Sequence, residues 1–129
     1  MPTPVHSDAA PQAIGAYSQA MTHNGLLYLS GQIPLDPGTG QMVEGDFSLQ
    51  IRRVLDNLKA VCAAAGTDLQ QAIKLQVFLT DLGNFAAVNQ ALEAEFAQPY
   101  PARAVVQVAA LPRGAQVEID GIVALGKSD

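Results

Sequence analysis

The run Ala102-Arg103-Ala104-Val105-Val106-Gln107-Val108-Ala109 is followed, after Leu111-Pro112-Arg113-Gly114, by Gln116-Val117-Glu118-Ile119-Asp120-Gly121-Ile122-Val123. Both runs read as β-strands, and the side chains of a strand alternate between its two faces. Arg103, Val105, Gln107 and Ala109 therefore share one face of the first run, and Ala104, Val106 and Val108 the other. In the second run Glu118, Asp120 and Ile122 oppose Val117, Ile119, Gly121 and Val123. Helices cover the apolar face of a sheet. This places Arg103 and Glu118 together on the opposite face. A guanidinium and a carboxylate converging there make either a site for a small carboxylate or an ordinary ion pair, and the spacing leaves both open.

Outward from these strands the pattern is regular. Ala72 to Thr80 alternates, with Ile73, Leu75, Val77 and Leu79 predicted on a buried face against Lys74, Gln76, Phe78 and Thr80. Asp46 is a plausible N-cap, after which Ile51, Val54, Leu55, Leu58, Val61, Cys62 and Ala65 keep the rhythm of an amphipathic helix that Gly66 stops. Asn84 is predicted to cap a second helix with Phe85, Val88, Leu92 and Phe96 as its stripe. Nearer the start, Tyr17 to Met21 and Leu26 to Ile33 read as strands. Thr22-His23-Asn24-Gly25 joins them as a hairpin turn, because Asn-Gly accepts positive φ angles. Pro34 to Gly45, with two prolines and three glycines, reads as a loop. The predicted order is ββαβαββ in one domain over residues 1–129, with residues 1–12 a loosely ordered arm. It is an α/β, two-layer α+β sandwich, a mixed sheet with two helices on one face. The other face then carries Arg103, Gln107, Glu118 and Asp120 beside Val105 and Ile122, a mixture that a ring of subunits closing over it would resolve.

Composition narrows the function. The chain has 129 residues and is 49% hydrophobic, which gives a folded globular protein. Its formal net charge of −5, with Arg52, Arg53, Lys59, Lys74, Arg103, Arg113 and Lys127 scattered, disfavours nucleic acid as a partner. Cys62 is the only cysteine and sits in a helical apolar pattern, so it reads as core. His6 and His23 have no cluster of ligands around them, so no metal is expected. Met1 to Gln12 lacks the apolar stretch of a signal peptide and no run is long enough to span a bilayer, so a cytoplasmic protein with no membrane partner is expected.

Five motifs in order then carry a resemblance. Ala13-Ile14-Gly15-Ala16-Tyr17-Ser18-Gln19, Ser30-Gly31-Gln32-Ile33-Pro34, Phe85-Ala86-Ala87-Val88-Asn89, Pro101-Ala102-Arg103 and Val117-Glu118-Ile119 resemble the RidA/YjgF family of reactive-intermediate deaminases from about Ala10 to Ala124. The resemblance implies a chorismate-mutase-like homotrimer, a trimeric barrel with its sheets inside, its helices outside and three clefts between subunits. It also implies hydrolysis of 2-imino acids such as 2-iminobutanoate and 2-iminopropanoate, or their enamine tautomers, to 2-keto acids and ammonia without metal or organic cofactor.

On this resemblance Arg103 holds the substrate carboxylate as a planar fork. Glu118 positions the attacking water and moves protons. Backbone groups at Ser30-Gly31 bind the departing nitrogen, and Tyr17 closes the pocket. Asn89 falls on the apolar stripe of its helix, so a structural hydrogen bond to backbone is expected of it. The chain departs from the family at Val105, where cysteine is frequent, at Ala104 for Ser or Thr, at Ala16 for Pro, and at Leu92 for an aromatic. A mechanism requiring a thiol at position 105 is thereby excluded. A trimer that binds keto acids in the same cleft without turnover is the alternative.

Overall fold

The Asn-Gly turn forms as its chemistry dictates. Asn24 (φ 53°) and Gly25 (φ 80°) both take the left-handed region in a computed structural model that describes residues 1–125. They join strands β2 (Ala20–His23) and β3 (Leu26–Gln32) in antiparallel register, Ala20 opposite Leu29 and His23 opposite Leu26. Helix α1 spans Phe47–Ala64, and its cap is the predicted one: the Asp46 carboxylate accepts from the Leu49 N–H at 3.2 Å. Gly66 (φ 82°) stands two residues past the last helical residue. Helix α2 spans Phe85–Glu95, between β4 (Ala72–Leu79) and β5 (Ala102–Gln107), and β6 (Val117–Ala124) follows.

The fold is α+β, a six-stranded mixed sheet in the order β1-β2-β3-β6-β4-β5 with two helices. Among the described residues only β4 and β5 pair in parallel. The last strand, β6, lies between β3 and β4, antiparallel to both. Its alternation is strict: Val117, Ile119 and Val123 are buried, while Glu118, Asp120 and Ile122 point away. Val54, Leu55, Leu58 and Val61 of α1 meet them with Leu75, Val77 and Leu79 of β4 and Val88 of α2, all without solvent exposure. Each such side chain contributes about 1.5–3 kcal/mol relative to exposure.

Five expectations are corrected. Residues 1–12 are not simply a loose arm, because Thr3–Val5 forms β1 on β2, a sixth strand. The anchor is Gln19, 3% exposed: its Oε1 accepts from the Ser7 N–H at 2.6 Å, and its Nε2 donates to the carbonyls of Ser7 and Pro11. The residues Tyr17 to Gln19 are loop, and the strand begins at Ala20. Ile73 is 48% exposed, because the pairing of β4 with β6 slips between Ala72 and Lys74 and breaks the alternation there. Asn84 occupies the N-cap position of α2 without a capping hydrogen bond from its side chain; Asp81 instead accepts from the Gly83 N–H in the preceding turn, and Phe85 stays exposed.

The fifth correction decides the site. Parallel pairing sets Arg103 beside Leu75, Val105 beside Val77 and Gln107 beside Leu79. Residues paired across strands share a face. Arg103, Val105 and Gln107 therefore lie on the helix-covered face, and Ala104 and Val106 lie with Gln76, Phe78, Glu118 and Asp120. Val105 accordingly packs against the core, and Gln107 accepts from the Leu82 N–H at 2.7 Å.

Gln19→Ala removes the three side-chain bonds that tie the arm down at Ser7 and Pro11 and leaves the buried Ser7 N–H unpaired, so it is expected to cost about 1–3 kcal/mol in urea denaturation. Limited proteolysis is expected to cut the variant first within residues 1–12, and a wild-type cleavage pattern would exclude Gln19 as the anchor.

Candidate functional site

The site begins with a mismatch in the sheet. Leu29 pairs with Gly121 and Gln32 with Ile119, so Ser30 and Gly31 together face the single residue Asp120. Such a bulge bends its strand and re-aims side chains. Here it brings the Gly31 backbone against Glu118: a Cβ at position 31 would stand 2.8 Å from the Glu118 Cδ. Only glycine leaves room for that carboxyl. Burial, and secondarily the charge of Asp120, hold Glu118 above the usual carboxylate range. Burial raises Asp120 as well.

Around Glu118 opens a cavity of about 470 Å³ that Tyr17, Ser30, Gly31 and Arg113 also line. The Ser30 hydroxyl donates to the Ser18 carbonyl at 2.6 Å, and the Ser30 N–H donates to the Gln19 carbonyl at 3.0 Å. Ser30 thus ties the Tyr17 loop to the bulge, and its hydroxyl proton is already committed. The Tyr17 hydroxyl accepts from the Ile14 N–H at 3.4 Å, with the ring half exposed at the cavity wall. Four of the predicted site residues, Tyr17, Ser30, Gly31 and Glu118, are therefore brought together.

Arg103 is not among them. It lies across the sheet in a second cavity of about 260 Å³, with Asn89, Glu93 and Tyr100 on the wall. Its Cζ stands 5.3 Å from the Phe85 ring centroid, which steadies the guanidinium without neutralising it. Among the described residues no carboxylate lies within ion-pair distance of Arg103, so the ion pair with Glu118 does not form within one chain. Asn89 lines this cavity, and no hydrogen bond of its side chain occurs among the described residues, contrary to the structural bond expected. Its signal was spacing: Asn89 is four residues past Phe85, on the helix edge that meets Arg103. Tyr100 and Arg113 went unassigned because each sits in a proline-flanked connection whose direction the alternation of strands does not specify.

Cys62 is fully buried in α1, and burial pushes its thiol up to about 12. Among the described residues no group of three His, Cys, Asp or Glu stands where it would hold a metal ion, and no helix is long and apolar enough to cross a membrane.

A half-buried carboxyl over a glycine bulge thus stands on one face of an α+β sheet, and a guanidinium with no ion-pair partner among the described residues stands on the other. Known proteins narrow the class. Residues 7–125 match the family described as endoribonuclease L-PSP. The protein DfrA of Myxococcus xanthus is 55% identical over 120 residues, 92% of each chain. The 2-iminobutanoate/2-iminopropanoate deaminase of Rattus norvegicus is 42% identical over 122 residues, 95% of this chain and 89% of that one. The crystal structure of RidA from an Antarctic Psychrobacter superposes with a TM-score of 0.92 at 46% identity, covering 95% of this chain and 99% of that one. The chain belongs to the RidA/YjgF/L-PSP family.

The raised affinity of Glu118 for its proton fixes the sign of a pH effect. A carboxyl raised in the folded state adds stability below its unfolded value, and that contribution is lost as pH rises through the folded value. Glu118→Gln is neutral throughout. Its melting temperature is expected to exceed that of wild type by a margin that widens from pH 4 to pH 7; a margin constant with pH would show that Glu118 is not held above its usual range.

Proposed function

We propose that this chain hydrolyses 2-imino acids to 2-keto acids and ammonia, in a cleft that two copies complete. The observation carrying this reading is the separation of Arg103 from Glu118 on opposite faces of one sheet. Neither cavity holds both a carboxylate anchor and a proton-transfer group. A second copy docked against the first supplies the missing half to each. Exposed Tyr28 and Val106, on the same face as Glu118 and Asp120, give apolar surface for such docking.

The chemistry asks little more. Arg103 binds the substrate carboxylate through two parallel N–H bonds and fixes the imine carbon. Water adds to the carbon of the protonated imine as Glu118 takes one of the water protons, which forms a neutral carbinolamine. Glu118 returns its proton to the amino nitrogen, the C–N bond breaks, and the hydroxyl proton passes to the departing ammonia as the C=O of the keto acid forms. The Gly31 backbone, in the bulge beside Glu118, approaches the nitrogen. The named activity of the rodent relative supports this substrate class. The family description names an endoribonuclease, but a net charge of −5 with scattered basic residues supports a small carboxylate over RNA.

The test is a coupled assay in which a threonine dehydratase releases 2-iminobutanoate into semicarbazide. Wild-type protein is expected to suppress semicarbazone formation. Losing a desolvated charge contact costs about 2–5 kcal/mol, so Arg103→Ala and Glu118→Gln should each lose activity at least roughly tenfold. Unfolded together and refolded as a mixture, the two variants should recover roughly a quarter of wild-type activity, because a cleft shared between copies then reunites intact halves. No recovery would refute the shared cleft. Absence of hydrolysis by wild type, with keto acid still bound, would leave a binding protein in its place.

A further inference from the structure

We infer that Arg113 is a specificity-determining residue that binds a second carboxylate, so that the preferred substrates are 2-imino dicarboxylates; this rests on the deaminase reading above. The Glu118 cavity, about 470 Å³, lies within the range of about 300–1,000 Å³ that encloses drug-sized ligands. Arg113 enters this cavity from the Leu111–Ala115 connection, whereas Glu118 enters from the sheet.

The backbone of Arg113 is left-handed (φ 59°, ψ 23°), a conformation uncommon for a residue with a side chain. Strain of this kind persists where surroundings hold it, and it gathers at ligand sites. Here Gly114 (φ 74°) continues the turn, and the Arg113 Nη1 donates to the Gly40 carbonyl at 3.2 Å. That bond orients the guanidinium and uses only one of its N–H donors. Among the described residues no carboxylate lies within ion-pair distance of Arg113. Ile14, Leu35 and Pro112 supply apolar wall, which suits a methylene spacer. An oriented, unpaired fork matches a carboxylate through two parallel bonds. With Arg103 of a second copy on the first carboxylate, as in the shared cleft proposed above, and Arg113 on the second, the imine carbon lies between them, beside Glu118.

The experiment is calorimetric titration of the intact protein, at low salt, with the keto products 2-oxobutanoate and 2-oxoglutarate. Wild type is expected to favour the dicarboxylate about two- to fivefold, the size of a partly solvated ion pair. Arg113→Gln and Arg113→Asn should abolish the preference, and Arg113→Lys should restore part of it. Asn accepts the left-handed conformation, so that variant keeps the turn even if Gln strains it. No preference in wild type, or a preference surviving in both neutral variants, overturns the inference. So does joint loss of both ligands with a fall in sedimentation mass, which makes Arg113 an assembly residue. Hydrolysis assays with both 2-iminobutanoate and 2-iminoglutarate separate the two claims: no hydrolysis of either with the binding pattern intact sinks the deaminase reading and leaves Arg113 as a carboxylate-binding residue.

Discussion

The insertion of β6 between β3 and β4 is the constraint on which the rest depends. Hydrogen-bonded on both edges, β6 has no freedom of register. Val117, Ile119 and Val123 must lie under α1, because α1 carries the chain from β3 over β6 to β4. Glu118 and Asp120 are thereby turned to the other face. The same ladder continues outward: β4 has its phase set by β6, and β5 has its phase set by β4. Arg103 falls beside Leu75 in consequence, across the sheet from Glu118. One strand insertion thus accounts for both half-sites and for their separation.

The bulge in β3 is the second device, and it acts through the first. An extra residue opposite Asp120 removes Ser30 and Gly31 from regular pairing with β6. The Ser30 hydroxyl then reaches back to Ser18, and the missing side chain of Gly31 admits the Glu118 carboxyl. Glu118 pays for this position in solvation, and Asp120 two residues on adds like charge. On the proposed reading, a carboxyl held neutral more readily than usual is suited to passing a proton both ways, as the carbinolamine step asks of it.

Much of this was legible in residues whose chemistry acts locally. Asn24-Gly25 specified its turn, Asp46 its helix start, and the strict alternation of β6 its buried face. Tyr17, Ser30, Gly31 and Glu118 were found through motifs and do converge. What escaped depends on distant partners. In β5 the apolar face, Ala104 and Val106, is turned away from the helices and the face of Arg103, Val105 and Gln107 meets them, so alternation alone points the wrong way; pairing with β4 decides it. Ile73 fits the period of its strand, and only the slip against β6 exposes it. The Thr3–Val5 strand forms on β2, and Gln19 ties down the residues that follow it through three bonds to the backbone of Ser7 and Pro11 that sequence spacing does not reveal.

Val105 bears on the chemistry as well as on packing. Two residues past Arg103 and on its face, it is partly buried against the core, where a branched apolar side chain fills space. The only thiol of the chain, Cys62, is fully buried and pushed up to about 12, so almost none is thiolate near neutrality. A covalent thiol route has no group to carry it. On the proposed reading the nucleophile is therefore water, and catalysis rests on position: a guanidinium that fixes one end of the substrate, a carboxyl with raised proton affinity at its reactive carbon, and a cleft that is incomplete until two copies meet.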